Sequence, residues 1–330
     1  MNIKNQKELA RAKKLVKKGG VLEAKKLYKK ILKEFPLNQE AKNAFAELTQ
    51  KKTLTRPSQM QIDSVMSLYS DGKMQEAINS IEDLIKNHPG EPLLFNICGA
   101  CYLATTQLNL AAKSFEKATE LKPDYAAAHY NLGVALQGLN QFDSAMGCYK
   151  KAIDINPAYP DAHNNLGLLL LNLKQFKSSV EHFEWALAYK PDFSAAHNNL
   201  GAAFQELREF SQSIASYKKA VKINPNYAQA YHNLGISFQV LGDQAASIQH
   251  YEKALLIKPD YAQAHQNLSV QKKYTENDPH ISTMENLLSK GQITDSDRIF
   301  LSFALAKAYD DIGKPKELFK TLDEANALRK

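Results

Sequence analysis

A period of 34 residues dominates this sequence. The string HYNLG at His129 returns as HNNLG at His163 and at His197, as YHNLG at Tyr231 and as HQNLS at His265. Prolines keep the same step from Pro89 through Pro123, Pro157, Pro191 and Pro225 to Pro259. A fixed period of this length marks stacked supersecondary units, none of which can bury its apolar face alone. Numbered from 1, the units start at residues 58, 92, 126, 160, 194 and 228, with a half unit from 262.

The residue types at fixed positions give the period a physical meaning. Position 8 is Gly99, Gly133, Gly167, Gly201 and Gly235. Position 20 is Ala77, Ala111 and Ala145, then Ser179, Ser213 and Ser247, and position 27 is Ala118, Ala152, Ala186, Ala220 and Ala254. Small residues there let two helices approach closely. Phe115, Tyr149, Phe183, Tyr217 and Tyr251 at position 24 fill the remaining volume. Gly72, Asn140 and Gly242 supply the left-handed residue that ends a first helix, and the position-32 proline ends the second. The expectation is an all-α, right-handed superhelical solenoid of helical hairpins.

These residues resemble the tetratricopeptide repeat, without a gap over 58–272. Residues 5–38 fit one more unit, with Leu15, Gly19, Ala24, Tyr28 and Pro36 in register, and 39–50 read as an extra helix before a break at 51–57. Beyond Lys272, which stands at a usually apolar position, residues 279–290 read as a helix opened by Pro279 and 296–329 as another hairpin. The expected domains are therefore 1–57, a repeat array at 58–272 and a C-terminal cap at 273–330.

In such an array the first helices line one concave face. Position 6 reads Asn131, Asn165, Asn199, Asn233 and Asn267; position 5 adds Asn164, Asn198 and His232; position 12 adds Gln137, Gln205 and Gln239. Asparagine inside a helix costs roughly 0.6 kcal/mol against alanine, so five at one phase call for a reason. A carboxamide offers two donors and a two-lone-pair acceptor, enough to hold the N–H and C=O of a bound peptide. Extended peptide advances about 3.3 Å per residue, so helices roughly 8–10 Å apart would meet every third ligand residue. These eleven side chains are the expected peptide-binding residues, and alanine at three of the asparagines is expected to leave stability unchanged or slightly raised. The ladder also resembles the repeat superhelix of O-linked N-acetylglucosaminyltransferases, which implies that the position-6 asparagines bind an extended substrate segment. Ile97 departs from that pattern. The expected concave face carries only Asp161 and Glu206 as charges, which disfavours the lysine and arginine clamp that other tetratricopeptide proteins use for acidic chaperone tails.

Catalytic chemistry is not apparent. No phosphate loop, dinucleotide-binding turn, HExxH or GxSxG occurs. The histidines at position 4 lie on different units, too far apart to share one zinc, and Cys98 and Cys101 read as small buried hydrophobes. No cofactor and no metal are expected. Three cysteines point to a reducing compartment, the N-terminus lacks the apolar core of a secretory signal, and Leu166 to Leu171 is too short to span a bilayer. A cytoplasmic location is the expectation. The net charge of +7 is confined to one end: residues 1–57 carry 16 basic and 5 acidic side chains, and the remainder is net −4. Without interleaved aromatics this reads as a solvated lysine-rich face rather than a nucleic-acid site. The last residues resemble the segment that precedes the catalytic domain in bacterial tetratricopeptide–sulfotransferase proteins. Two functions follow as expectations: a non-catalytic scaffold gripping an extended polypeptide, or the substrate-recognition region of a longer transferase continuing past Lys330.

Overall fold

The computed structural model describes residues 3–17, 20–50, 56–290 and 293–328. Among these, nineteen α-helices follow one another and no strand occurs, the all-α solenoid of hairpins that the period requires. Most of the expected break at 51–57 lies outside the described residues, as does Lys330.

The chain divides into two compact units, Met1–Pro123 and Asp124–Lys330. The first holds α1 (Ile3–Lys17) to α7 (Leu108–Leu121), including α3 (Gln39–Gln50), which packs on α2 (Val21–Glu34). In the second, four hairpins pair α8 (Ala126–Gly138) with α9 (Phe142–Ile155), α10 (Pro160–Asn172) with α11 (Phe176–Tyr189), α12 (Ser194–Glu206) with α13 (Phe210–Ile223), and α14 (Ala228–Val240) with α15 (Gln244–Ile257). The half unit is α16 (Ala262–Gln271), followed by α17 (Pro279–Ser289), α18 (Asp295–Asp311) and α19 (Pro315–Ala327). A core of Tyr274, Ile281, Met284, Leu301 and Leu305 closes this end against Ala262. Lys272, the charge at a usually apolar position, pairs at 2.7 Å with Asp278, whose carboxylate also caps α17 by accepting the His280 N–H at 3.0 Å.

The five hairpins from residue 92 to residue 257 each close on one ring. Phe115, Tyr149, Phe183, Tyr217 and Tyr251 are essentially inaccessible, as are the alanines at position 27 and the alanine or serine at position 20. The ring lies flat on the position-8 glycine: a Cβ on Gly133 would stand 2.6 Å from Tyr149, and one on Gly167 would stand 2.8 Å from Phe183. No real Cβ contact is that short, so glycine here is a packing requirement.

The turn within each hairpin needs a left-handed residue at position 15. Gly72, Asn140 and Gly242 take it as expected, with φ of 74°, 59° and 78°. Thr106, Lys174 and Arg208 take it too, at 58°, 60° and 64°, although their side chains disfavour it. The reason is the hydrogen bonding around them. In the Lys174 turn, Gln175 N–H reaches back to Leu170 O at 2.8 Å and Lys174 N–H to Leu171 O at 2.9 Å, closing a helix terminus that only a positive φ permits.

Candidate functional site: the first-helix face

In the second unit, successive first helices α10, α12 and α14 approach one another more closely than successive second helices do. The position-6 asparagines stand on the seams between them. Four of them reach back to position 5 of the preceding repeat: Asn165 Nδ2 donates to the Tyr130 hydroxyl at 3.3 Å, Asn199 to Asn164 Oδ1 at 3.0 Å, and Asn233 to Asn198 Oδ1 at 3.1 Å. Asn267 Nδ2 donates to His232 Nε2 at 2.9 Å. With Nε2 accepting, the Nδ1–H of His232 points to the Tyr261 oxygen at 3.3 Å.

Within a repeat the chain of bonds continues. Asn198 Nδ2 lies 3.4 Å from Asn199 Oδ1, and Asn164 Nδ2 lies 3.2 Å from Asn165 Oδ1. From Asn233 to Tyr130 the amides therefore form one unbroken series, every bond donating in the same direction. Such aligned bonds polarise and strengthen one another.

This geometry divides the expected binding residues. Asn164, Asn198 and His232 are buried, at 7%, 3% and 7% exposure, and support the rungs from behind instead of lining an open face. Burial holds His232 neutral, its pKa lowered to about 4, so its ring stays an acceptor for Asn267. Gln137, Gln205 and Gln239 use their carbonyl oxygens at home, accepting the hydroxyls of Tyr149 (2.8 Å), Tyr217 (3.3 Å) and Tyr251 (2.7 Å). Asn131, Asn165, Asn199, Asn233 and Asn267 remain half-buried. Asn165 and Asn267 interact further with the hydroxyls of Tyr149 and Tyr251, easing the rise in phenol pKa that burial imposes. The rung bond of Asn199 and that of Asn233 each account for one of the two amide N–H groups.

Beside the asparagines runs a column that the sequence reading passed over because its residue types vary. Position 9 is Val134, Leu168, Ala202 and Ile236, all half-buried, and then Val270, 60% exposed. The available signal was apolarity maintained at a position one helical turn from the amides. Asp161, half-buried, and Glu206, exposed, are charges on these same helices.

The position-4 histidines serve the repeat junctions. His163 and His197 each donate Nε2–H to the carbonyl of the proline that ends the preceding unit, Pro157 and Pro191, both at 3.0 Å, and His265 does the same to Pro259 at 2.8 Å. Cys98 and Cys101 are buried, 3% and 0% exposed, and burial raises the Cys98 thiol to about 11, which leaves it protonated and unreactive at neutral pH.

Models of the TPR repeat match residues 99–140, 138–174 and 209–242, and the tetratricopeptide repeat model matches 160–193 and 228–261. The chain carries tetratricopeptide repeats. Among solved structures, the tetratricopeptide solenoid is similar to PilW, a widely conserved type IV pilus biogenesis factor, with a TM-score of 0.57 and 22% identity over 65% of this chain and 99% of that one. It is also similar to the APC/C hetero-tetramer Cut9–Hcn1 (0.56, 17% identity, 96% of this chain and 55% of that one). A third similar structure is the C-terminal part of a TPR repeat-containing protein from Cytophaga hutchinsonii (0.52, 17% identity, 79% and 98%). At these identities the likeness is one of fold. No curated protein matches the chain. Among the described residues, no helix of these repeats is long and apolar enough to cross a membrane.

Proposed function

We propose that the chain is a non-catalytic protein-binding scaffold that holds an extended polypeptide along the first-helix face of its second unit. The observation that carries this reading is the oriented amide series from Asn233 to Tyr130. Side chains already fixed by bonds to the scaffold lose little rotamer freedom on meeting a ligand, so backbone hydrogen bonds to them cost less entropy. Asn199 and Asn233 are the central contacts, each with a second N–H for a peptide carbonyl. The position-9 column from Val134 to Ile236 receives apolar side chains. Amides directed at backbone give weak sequence selectivity, and Asp161 and Glu206 bias the face against acidic ligands.

The test is selection of linear peptides from a random library on the full chain, followed by side-chain amide NMR. Selected peptides should shift the Asn199 and Asn233 carboxamide resonances and should lose affinity in Leu168→Gln/Ile236→Gln. Peptides that bind without disturbing either resonance would place the ligand elsewhere and overturn the reading.

A further inference from the structure

On the second-helix side, a cleft of about 700 Å³ opens between α11 and α13 over α12. His197 lines it, 7% exposed. Its Nε2–H is committed to Pro191 O, so Nδ1 carries the lone pair, and that buried nitrogen has no hydrogen-bond partner. Burial, with Lys219 nearby, lowers the His197 pKa and keeps the ring an acceptor. A buried acceptor left unpaired is rare and costs free energy until a donor meets it.

The preceding repeat shows what this position normally holds. Thirty-four residues earlier, His163 has the same bond to its proline carbonyl, but its Nδ1 meets His182 Nδ1 at 3.1 Å. Trp185 and Tyr189 complete that filling, each with its ring 6.3 Å from His163. The equivalents around His197 are Ser216, Lys219 and Ile223. The protein thus plugs one cleft with its own donor-bearing aromatics and leaves the next without them.

The remaining chemistry selects the occupant. Leu187, Leu200 and Ile223 give the cleft apolar walls, and Lys219 and Lys222 stand at it against one carboxylate, Glu184. Neither lysine is ion-paired among the described residues. An imidazole would be disfavoured in its cationic form beside two ammonium groups. An indole donates but cannot accept from them. A phenol does both: its O–H donates to Nδ1 and its oxygen accepts from a lysine. We propose that this cleft binds the tyrosine side chain of an acidic peptide segment, whose flanking carboxylates meet Lys219 and Lys222.

The cleft is on the opposite side of the hairpins from the asparagine face, so its test is independent of that reading. The full chain is titrated with a capped Asp-Glu-Tyr-Glu-Asp peptide, its Phe counterpart and a Lys-flanked version, by calorimetry and by histidine 15N NMR. The tyrosine peptide should bind and move the His197 Nδ1 resonance, with the Phe peptide about tenfold weaker and the Lys-flanked peptide weaker still. Ser216→His/Lys219→Trp/Ile223→Tyr transplants the neighbouring filling and should abolish binding. The exposed pair Lys219→Glu/Lys222→Glu should weaken it at least tenfold in a variant whose core is untouched. No binding of the tyrosine peptide, equal binding of the Phe peptide, or full affinity in the charge-reversed variant would overturn the proposal.

Discussion

Asn199 donates its Nδ2–H to Asn164 Oδ1 at 3.0 Å, from one first helix to the one before it, 35 residues back. The bond joins a half-exposed side chain to one that is 7% exposed, so the amide that faces the open side also holds two repeats together.

This bond reverses the stability expected for alanine at the rungs. Helix propensity gains about 0.6 kcal/mol, but the lost bond costs about 1 kcal/mol and a buried acceptor left unpaired costs about 1–3 kcal/mol. Asn199→Ala should therefore destabilise by about 1–3 kcal/mol in urea unfolding. A double-mutant cycle with Asn164→Ala should return a coupling near 1 kcal/mol, whereas additive losses would mean the pair is idle.

Positions 12 and 24 exchange together. Where position 24 is Tyr149, Tyr217 or Tyr251, position 12 is glutamine; where it is Phe115 or Phe183, position 12 is Leu103 or Leu171. Gln137→Leu alone takes away the acceptor of the buried Tyr149 O–H, leaving that hydroxyl only its Asn165 contact, and should cost about 1–3 kcal/mol. Adding Tyr149→Phe should recover most of that loss, because the result is the pair already present at Leu171 and Phe183. A double variant no more stable than the single one would break the relationship.

Thr106, Lys174 and Arg208 hold positive φ values against their own preference. Relief of roughly 1 kcal/mol per site should outweigh the extra unfolded-chain entropy of glycine. Lys174→Gly and Arg208→Gly should each raise stability by a few tenths to about 1 kcal/mol, read as a higher Tm. Asn140→Ala, at the same turn position, should lower it.

Histidines withdrawn from water, His232 buried and His182 and His280 half-buried, set an acid limit. His182 and His232 are lowered to about 4 and His280 to about 3, all chiefly by burial, against an ordinary value near 6.5. The unfolded chain binds those protons first, so stability is full above about pH 6.5 and declines as pH falls toward 4, by at most about 1.4 kcal/mol per group per pH unit. In His280 the ring links the Tyr274 hydroxyl (2.7 Å) to His265 Nδ1 (2.6 Å), so His280→Gln should flatten part of that decline in melts between pH 6.5 and 4.5.

Much of this architecture was legible in the chain. The 34-residue spacing of HNNLG and proline carries the hairpins, and the glycine at position 8 with the aromatic at position 24 carries their packing. The glutamines were equally visible, and so was their partnership with tyrosine rather than phenylalanine. Read without that partnership they resemble groove residues, because a carboxamide looks alike whether it serves a ligand or a buried phenol. The three left-handed positions occupied by Thr106, Lys174 and Arg208 carried no local sign, since the helix-terminal hydrogen bonds override residue preference there.

The sequence by itself determined the repeat, its helical content and the close contact at each glycine, because those depend on residues a few turns apart in one unit. Only the tertiary structure decided what the asparagines do. Their partners are 35 residues distant and chemically unlike one another, Tyr130, Asn164, Asn198 and His232, sharing nothing but an acceptor lone pair that stacking brings within reach.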